Sequence, residues 1–247
     1  FCTELQKKIP DASISLRSYT TDLYIINAVS ESNPYLTKKI YEKLIIDSRN
    51  CLKDIALPIH PKEFASRIFK NTDRFVSEMD WFNLEDAFYD TVVHMPCIES
   101  PDNLEDFFTL EELQGWWKLS NYQFYNFAST EAYKDLTCSL VRDFVTMADE
   151  DAAAGVDVRL RFGHDMVLFS LLELMDINGW GGKYQGIEDV SNNWHTYDIP
   201  MASNLRMVLY KNRKGETIGK FMYNEKEVTL PIESGTAPYY NWEDIKA

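Results

Sequence analysis

The 247-residue chain lacks any apolar run of about 18 residues, the length a helix needs to cross a bilayer, so no membrane-spanning helix is expected. It is short of positive charge: 25 Lys and Arg stand against 39 Asp and Glu, a formal charge of −14 with an isoelectric point near 4.7. A field of that sign repels polyanions, which argues against nucleic acid and anionic membrane surfaces as partners. No C-x-x-C pair occurs among Cys2, Cys51, Cys97 and Cys138, which argues against a zinc site. Four cysteines permit two disulfides in three pairings, and buried free thiols fit equally well. The phosphate-cradling G-x-x-x-x-G-K-[ST] and the nucleophile elbow G-x-S-x-G are both absent, which removes P-loop and serine-hydrolase chemistry. No repeat and no low-complexity stretch occurs. The opening "FCTELQKKIP" has no initiator Met and no signal-peptide layout, and it reads as the tail of a helix already under way, as in a fragment or processed chain.

What is present suffices for a large core: 45% of the residues are hydrophobic and 14% aromatic. Period-two alternation marks 13–19, "SISLRSY", as a short strand, followed by the apolar "LYIIN". Helical spacing covers 35–53 after the breaker pair Asn33 and Pro34, and Pro58 and Pro61 punctuate the chain beyond it. Aromatic-rich segments run over 64–93 and 110–127, the second opened by Thr109 and Glu112 in capping-box register. Trp81, Phe82, Trp116, Trp117, Tyr122, Phe124, Tyr125 and Phe127 resemble a stacking platform, but aromatics at helical spacing more often pack a helical subdomain. A further helix is expected over 133–148.

Beyond residue 155 the pattern changes. "VDVRLRF" sets Val156, Val158, Leu160 and Phe162 against Asp157, Arg159 and Arg161 and predicts a strand. A helix is expected over 164–175, then a glycine-rich loop "NGWGGKYQG", a hairpin of strands 205–212 and 218–223 joined by "RKGE", and an edge strand in "EVTLP". The expected fold is α/β, a mixed sheet at both chain ends flanked by helices, around a helical insertion.

His164 and Asp165 stand where the strand gives way to the helix, directly after Gly163. A helix amino terminus presents unpaired N–H groups and the positive end of the macrodipole, so a phosphate-like anion is favoured beside it. There a protonated imidazole adds charge and a donor, while a carboxyl can protonate a leaving oxygen. A bound dianion raises the pKa of a neighbouring carboxyl and so arms the acid. The plain alternative is a capping Asp beside a hydrogen-bonded structural His. His60, His94 and His195 sit in settings that suit structural or surface roles, and Arg159 and Arg161 are expected to pair with carboxylates across the sheet.

With "RFGHD" followed by "MVLFSLLELM", the chain resembles the second half of a histidine acid phosphatase, of the branch that holds phytases and multiple inositol polyphosphate phosphatases. "FTLEELQGWWKLSNYQFY", "IPMASNLRMVLY" and "APYYNWEDIKA" resemble bacterial members of that group, so the likeness spans essentially the entire chain. It implies an incomplete phosphoglycerate-mutase-like core: a core portion over 1–30, a helical cap over 31–130, and a second core portion over 131–247. It implies a phosphomonoester hydrolase acting through a phosphohistidine, on inositol phosphates such as phytate or on other organic phosphates, secreted or periplasmic. No cofactor and no metal are implied. By resemblance, His164 binds the phosphoryl group and Asp165 donates the proton to the leaving alkoxide.

The R-H-G-x-R motif that carries the nucleophilic histidine in that family occurs nowhere in the 247 residues, and the arginine usually found before the helical insertion is missing too. The expectation is a carboxyl-terminal portion that needs the amino-terminal half of the same protein and turns over nothing alone. The inositol polyphosphate branch often carries His-Ala-Glu where this chain has His-Asp, which bears on positional preference. The rival reading is a non-catalytic pseudo-phosphatase or helical interaction module.

Overall fold

The computed structural model describes residues 2–15, 35–72, 79–97, 104 and 107–247. Nine α-helices are described: α1 (Cys2–Lys8), α2 (Lys38–Asn50), α3 (Pro61–Ile68), α4 (Trp81–His94), α5 (Leu110–Ala128), α6 (Glu131–Ala154), α7 (Asp165–Leu174), α8 (Gly186–Asn193) and α9 (Trp242–Lys246). Four short strands accompany them: β1 (Leu205–Lys211), β2 (Thr217–Tyr223), β3 (Lys226–Val228) and β4 (Tyr240–Asn241).

The helix starts obey local chemistry, because the first turn leaves N–H groups that a preceding side chain can accept. The Thr37 hydroxyl accepts from the Ile40 N–H at 3.3 Å, and the Asp80 carboxylate accepts from the Asn83 N–H at 3.1 Å. At α5 the capping box forms as expected: Thr109 Oγ1 accepts from the Glu112 N–H and Glu112 Oε2 from the Thr109 N–H. The helix expected over 133–148 is longer at both ends. It runs until Gly155 adopts the left-handed conformation, φ 72°, that ends it.

Two apolar centres dominate. One gathers Phe64, Trp81, Tyr89, Val92, Phe108, Trp116 and Leu119 from α3, α4, α5 and the segment before α5. The aromatics expected to pack a helical layer do so, with Phe64 edge-on to Phe88 at 5.4 Å and Tyr89 stacked on Trp116 at 6.1 Å. The other centre surrounds α7, whose Val167 and Leu171 meet Leu140 of α6 while Leu172 meets Phe221 and Val228 of the sheet. Phe169 packs on Trp194 at 4.8 Å. Burial on several sides explains why "MVLFSLLELM" is apolar almost throughout.

The hairpin forms in the register Leu205↔Tyr223 to Lys211↔Thr217. The other side of β2 pairs with β3 at Phe221↔Val228 and with β4 at Gly219↔Tyr240. All these pairings are antiparallel, so the described residues form helices with one small antiparallel sheet within 205–241, consistent with the expected α/β class.

One expectation lies outside the described residues and another changes. The strand expected over 13–19 and "LYIIN" fall mostly outside the described residues. The segment 156–164 belongs to no element of the described sheet, and its alternation is inverted: Val158 is 70% and Leu160 54% exposed, whereas Arg159 and Arg161 turn inward. Arg159 meets Asp151 at 2.6 Å, and Arg161 meets Asp143 at 2.5 Å with its guanidinium 4.5 Å above the Phe144 ring. The arginines thus pair with carboxylates as expected, but on α6 and not across a sheet. Arg159 bidentate to Asp151, and Arg161 with two N–H groups on one Asp143 oxygen, hold one edge of the segment to that helix and leave its apolar residues outward.

Candidate functional site at the start of α7

His164 is the N-cap of α7, in extended conformation (φ −101°, ψ 155°), and its imidazole makes no capping hydrogen bond. Asp165 opens the helix and curls its carboxylate back, Oδ1 accepting from the Met166 N–H at 2.8 Å. Both side chains are exposed. From Val167 onward α7 is buried, so the pair is carried on a helix fixed by its core contacts and presented at the surface end of it.

Tyr133, buried on α6, stands close enough to feel Asp165. Desolvation chiefly, then Tyr41 and Asp165, push its phenol above the ordinary tyrosine range, so it stays a neutral hydroxyl beside the acid.

The structure therefore keeps His164 and Asp165 side by side and in water. The cavity of about 370 Å³ at the other end of α7 does not include them. That cavity is lined by Tyr125, Ser129, Lys134, Glu173, Gly182 and Lys183, among others, and Glu173 lies about 12 Å along the helix axis from Asp165 at 1.5 Å per residue. Glu173 is 8% exposed. Its Oε1 accepts from the Ser129 hydroxyl at 2.8 Å and from the Trp194 indole N–H at 3.0 Å, and desolvation raises its carboxyl pKa. The signal for it was legible: one acidic residue inside "SLLELM".

The remaining histidines take structural positions. His60 caps α3, its Nδ1 accepting from the Lys62 N–H at 3.3 Å, and His94 lies against Asp90 at the end of α4. His195 lies flat on Tyr197 at 4.6 Å, with its Nδ1 at 3.1 Å from Asp198 and its Nε2 at 3.2 Å from the Ser191 carbonyl. The stack of Trp117, His195 and Tyr197 joins residues about 80 positions apart, which spacing in the sequence could not reveal.

The four cysteines are free, and burial pushes the Cys51 thiol up to about 11, which keeps it protonated. Among the described residues no group of three or more His, Cys, Asp and Glu is placed to hold a metal ion, and no helix is long and apolar enough to cross a membrane. Compared with known proteins, the chain matches no family model and no curated protein.

Proposed function

We propose that this chain is the carboxyl-terminal portion of a phosphomonoester hydrolase of the histidine acid phosphatase type, built on a phosphoglycerate-mutase-like core and acting on inositol phosphates or other organic phosphates. The observation that carries the reading is the exposed imidazole and carboxyl on adjacent residues, at a helix start whose N-cap side chain makes no capping bond.

In this reading the imidazolium of His164 donates to a phosphoryl oxygen, next to the positive end of α7. A histidine outside these 247 residues attacks phosphorus. As the P–O bond to the leaving group breaks, the Asp165 carboxyl gives its proton to the departing alkoxide. Water then cleaves the phosphohistidine and returns a proton to Asp165. The exposed Val158 and Leu160 offer an apolar surface to the amino-terminal portion that would supply the nucleophile and the rest of the pocket. These steps use no cofactor. Periplasmic or secreted placement goes with the same family reading.

The test uses the protein with its upstream portion. Asp165→Asn is expected to lower kcat on an alkyl phosphate such as phytate by about 10²- to 10⁴-fold. On p-nitrophenyl phosphate the loss should be much smaller, because that leaving group departs without protonation. Equal losses on both substrates, or robust phosphate release by the 247-residue chain alone, would overturn the assignment.

A further inference from the structure

The core of the helical layer holds an acid that the phosphatase reading does not use. Glu85 is fully buried on α4, and neither of its carboxyl oxygens has a hydrogen-bond partner. It shares a helix face with Phe82 and Tyr89, three residues before and four after it, and both of those rings contact Trp116 of α5, at 5.7 and 6.1 Å. The Trp116 indole N–H is itself buried and unpartnered, as is that of Trp117. Among the described residues no donor is hydrogen-bonded to Glu85 to compensate a charge placed on it.

The charged groups that bear on Glu85 from the neighbouring helices are Arg67 of α3 and Glu112 of α5. They oppose each other, and they are already committed. Arg67 donates to both Glu112 oxygens at 2.6 and 2.9 Å, to Glu63 at 2.9 Å and to the Phe107 carbonyl at 3.0 Å. Along α4 itself, Asp86 and Asp90 add negative charge beside Tyr89, and Arg49 draws on Asp86. None of them donates to Glu85. Among the described residues an ionised carboxylate there would be buried with no hydrogen bond and with only Arg67, already paired to Glu112, as a counter-charge, an arrangement that folded proteins relieve by keeping the group neutral or by opening to water.

We propose that Glu85 is a proton-operated latch on the packing of α3, α4 and α5: neutral, it lets the layer close, and losing its proton to water makes the layer open locally. Desolvation, only partly offset by Arg67, pushes the carboxyl up to about 7, so the change falls in the mildly acidic to neutral range. A group whose folded pKa is raised contributes its stability below the unfolded value, and that stability is lost as pH rises through the folded value.

Amide hydrogen exchange of the 247-residue chain, corrected for intrinsic rates, tests this at about pH 5.5 and pH 8. In the wild type, protection of α4 and of the first half of α5 should fall by about tenfold or more between the two. Glu85→Gln keeps the shape and removes the charge, and Glu85→Met removes the polar group as well; each should lose most of that fall. An unchanged wild type, or a wild-type response persisting in either folded variant, overturns the proposal.

Discussion

At the scale of single residues, the structure separates two kinds of acid by their surroundings. Glu112, tied to Arg67 and to its own capping box, is held below the usual carboxylate range chiefly by the Arg67 hydrogen bond. Glu85 and Glu173 are raised by desolvation. The Arg67–Glu112 pair joins α3 to α5 across 45 residues of sequence, with side chains 23% and 13% exposed. Arg67→Ala is expected to cost about 1–3 kcal/mol in urea unfolding, below the ~3–5 kcal/mol of a fully buried pair because part of the guanidinium keeps its water. A loss below about 0.5 kcal/mol would show that the pair is no clamp.

His164 and Asp165 belong to the same scale. Their adjacency and their place at the start of a helix were readable from "RFGHD" followed by an apolar run, because an Asp commonly opens a helix in its first turn. Their exposure was not readable. It depends on which part of α7 the rest of the chain covers, and Leu140, Trp194, Phe221 and Tyr240, all downstream or upstream by 20 residues or more, pack on the helix beyond Asp165.

Among elements, the helices were the more legible. Capping residues and 3.6-residue periodicity act within a few positions, so α2, α5 and the hairpin stand within a few residues of where spacing placed them. The strand expected at 156–162 shows the opposite case. Alternation specifies a two-faced segment but not which face is covered, and the ion pairs from Arg159 and Arg161 to α6 decided that here. Gly155 gives an element-scale test. It sits at φ 72° past the end of α6 with open space where a Cβ would stand, so Gly155→Ala should cost about 1 kcal/mol through backbone strain alone. A melting temperature unchanged within error would mean that α6 can end another way at no cost.

For the whole molecule, the two groups of acids set opposite limits. Stability held by the lowered carboxyls Glu112 and Asp149 is lost as pH falls through their folded values, beneath the ordinary range. Stability tied to the raised carboxyls Glu85, Asp86 and Glu173 is lost as pH rises through theirs, and a net charge of −14 adds self-repulsion on the same side. The melting temperature should therefore peak in mildly acidic solution, at about pH 5, and decline toward pH 8. A melting temperature that climbs steadily to pH 8 would refute this ordering of the acids.

The sequence by itself determined roughly where α2, α5, α6 and α7 begin, where its hairpin turns and which two titratable residues open α7, because each depends on forces that act within one turn of helix or across one tight loop. Tertiary structure alone decided that Glu85 and Glu173 are buried while Asp165 stays exposed. It also turned the arginines of 156–162 inward and brought His195 onto Trp117. Burial is set by which distant segments arrive at a surface, and a carboxyl's chemistry depends on the water it keeps.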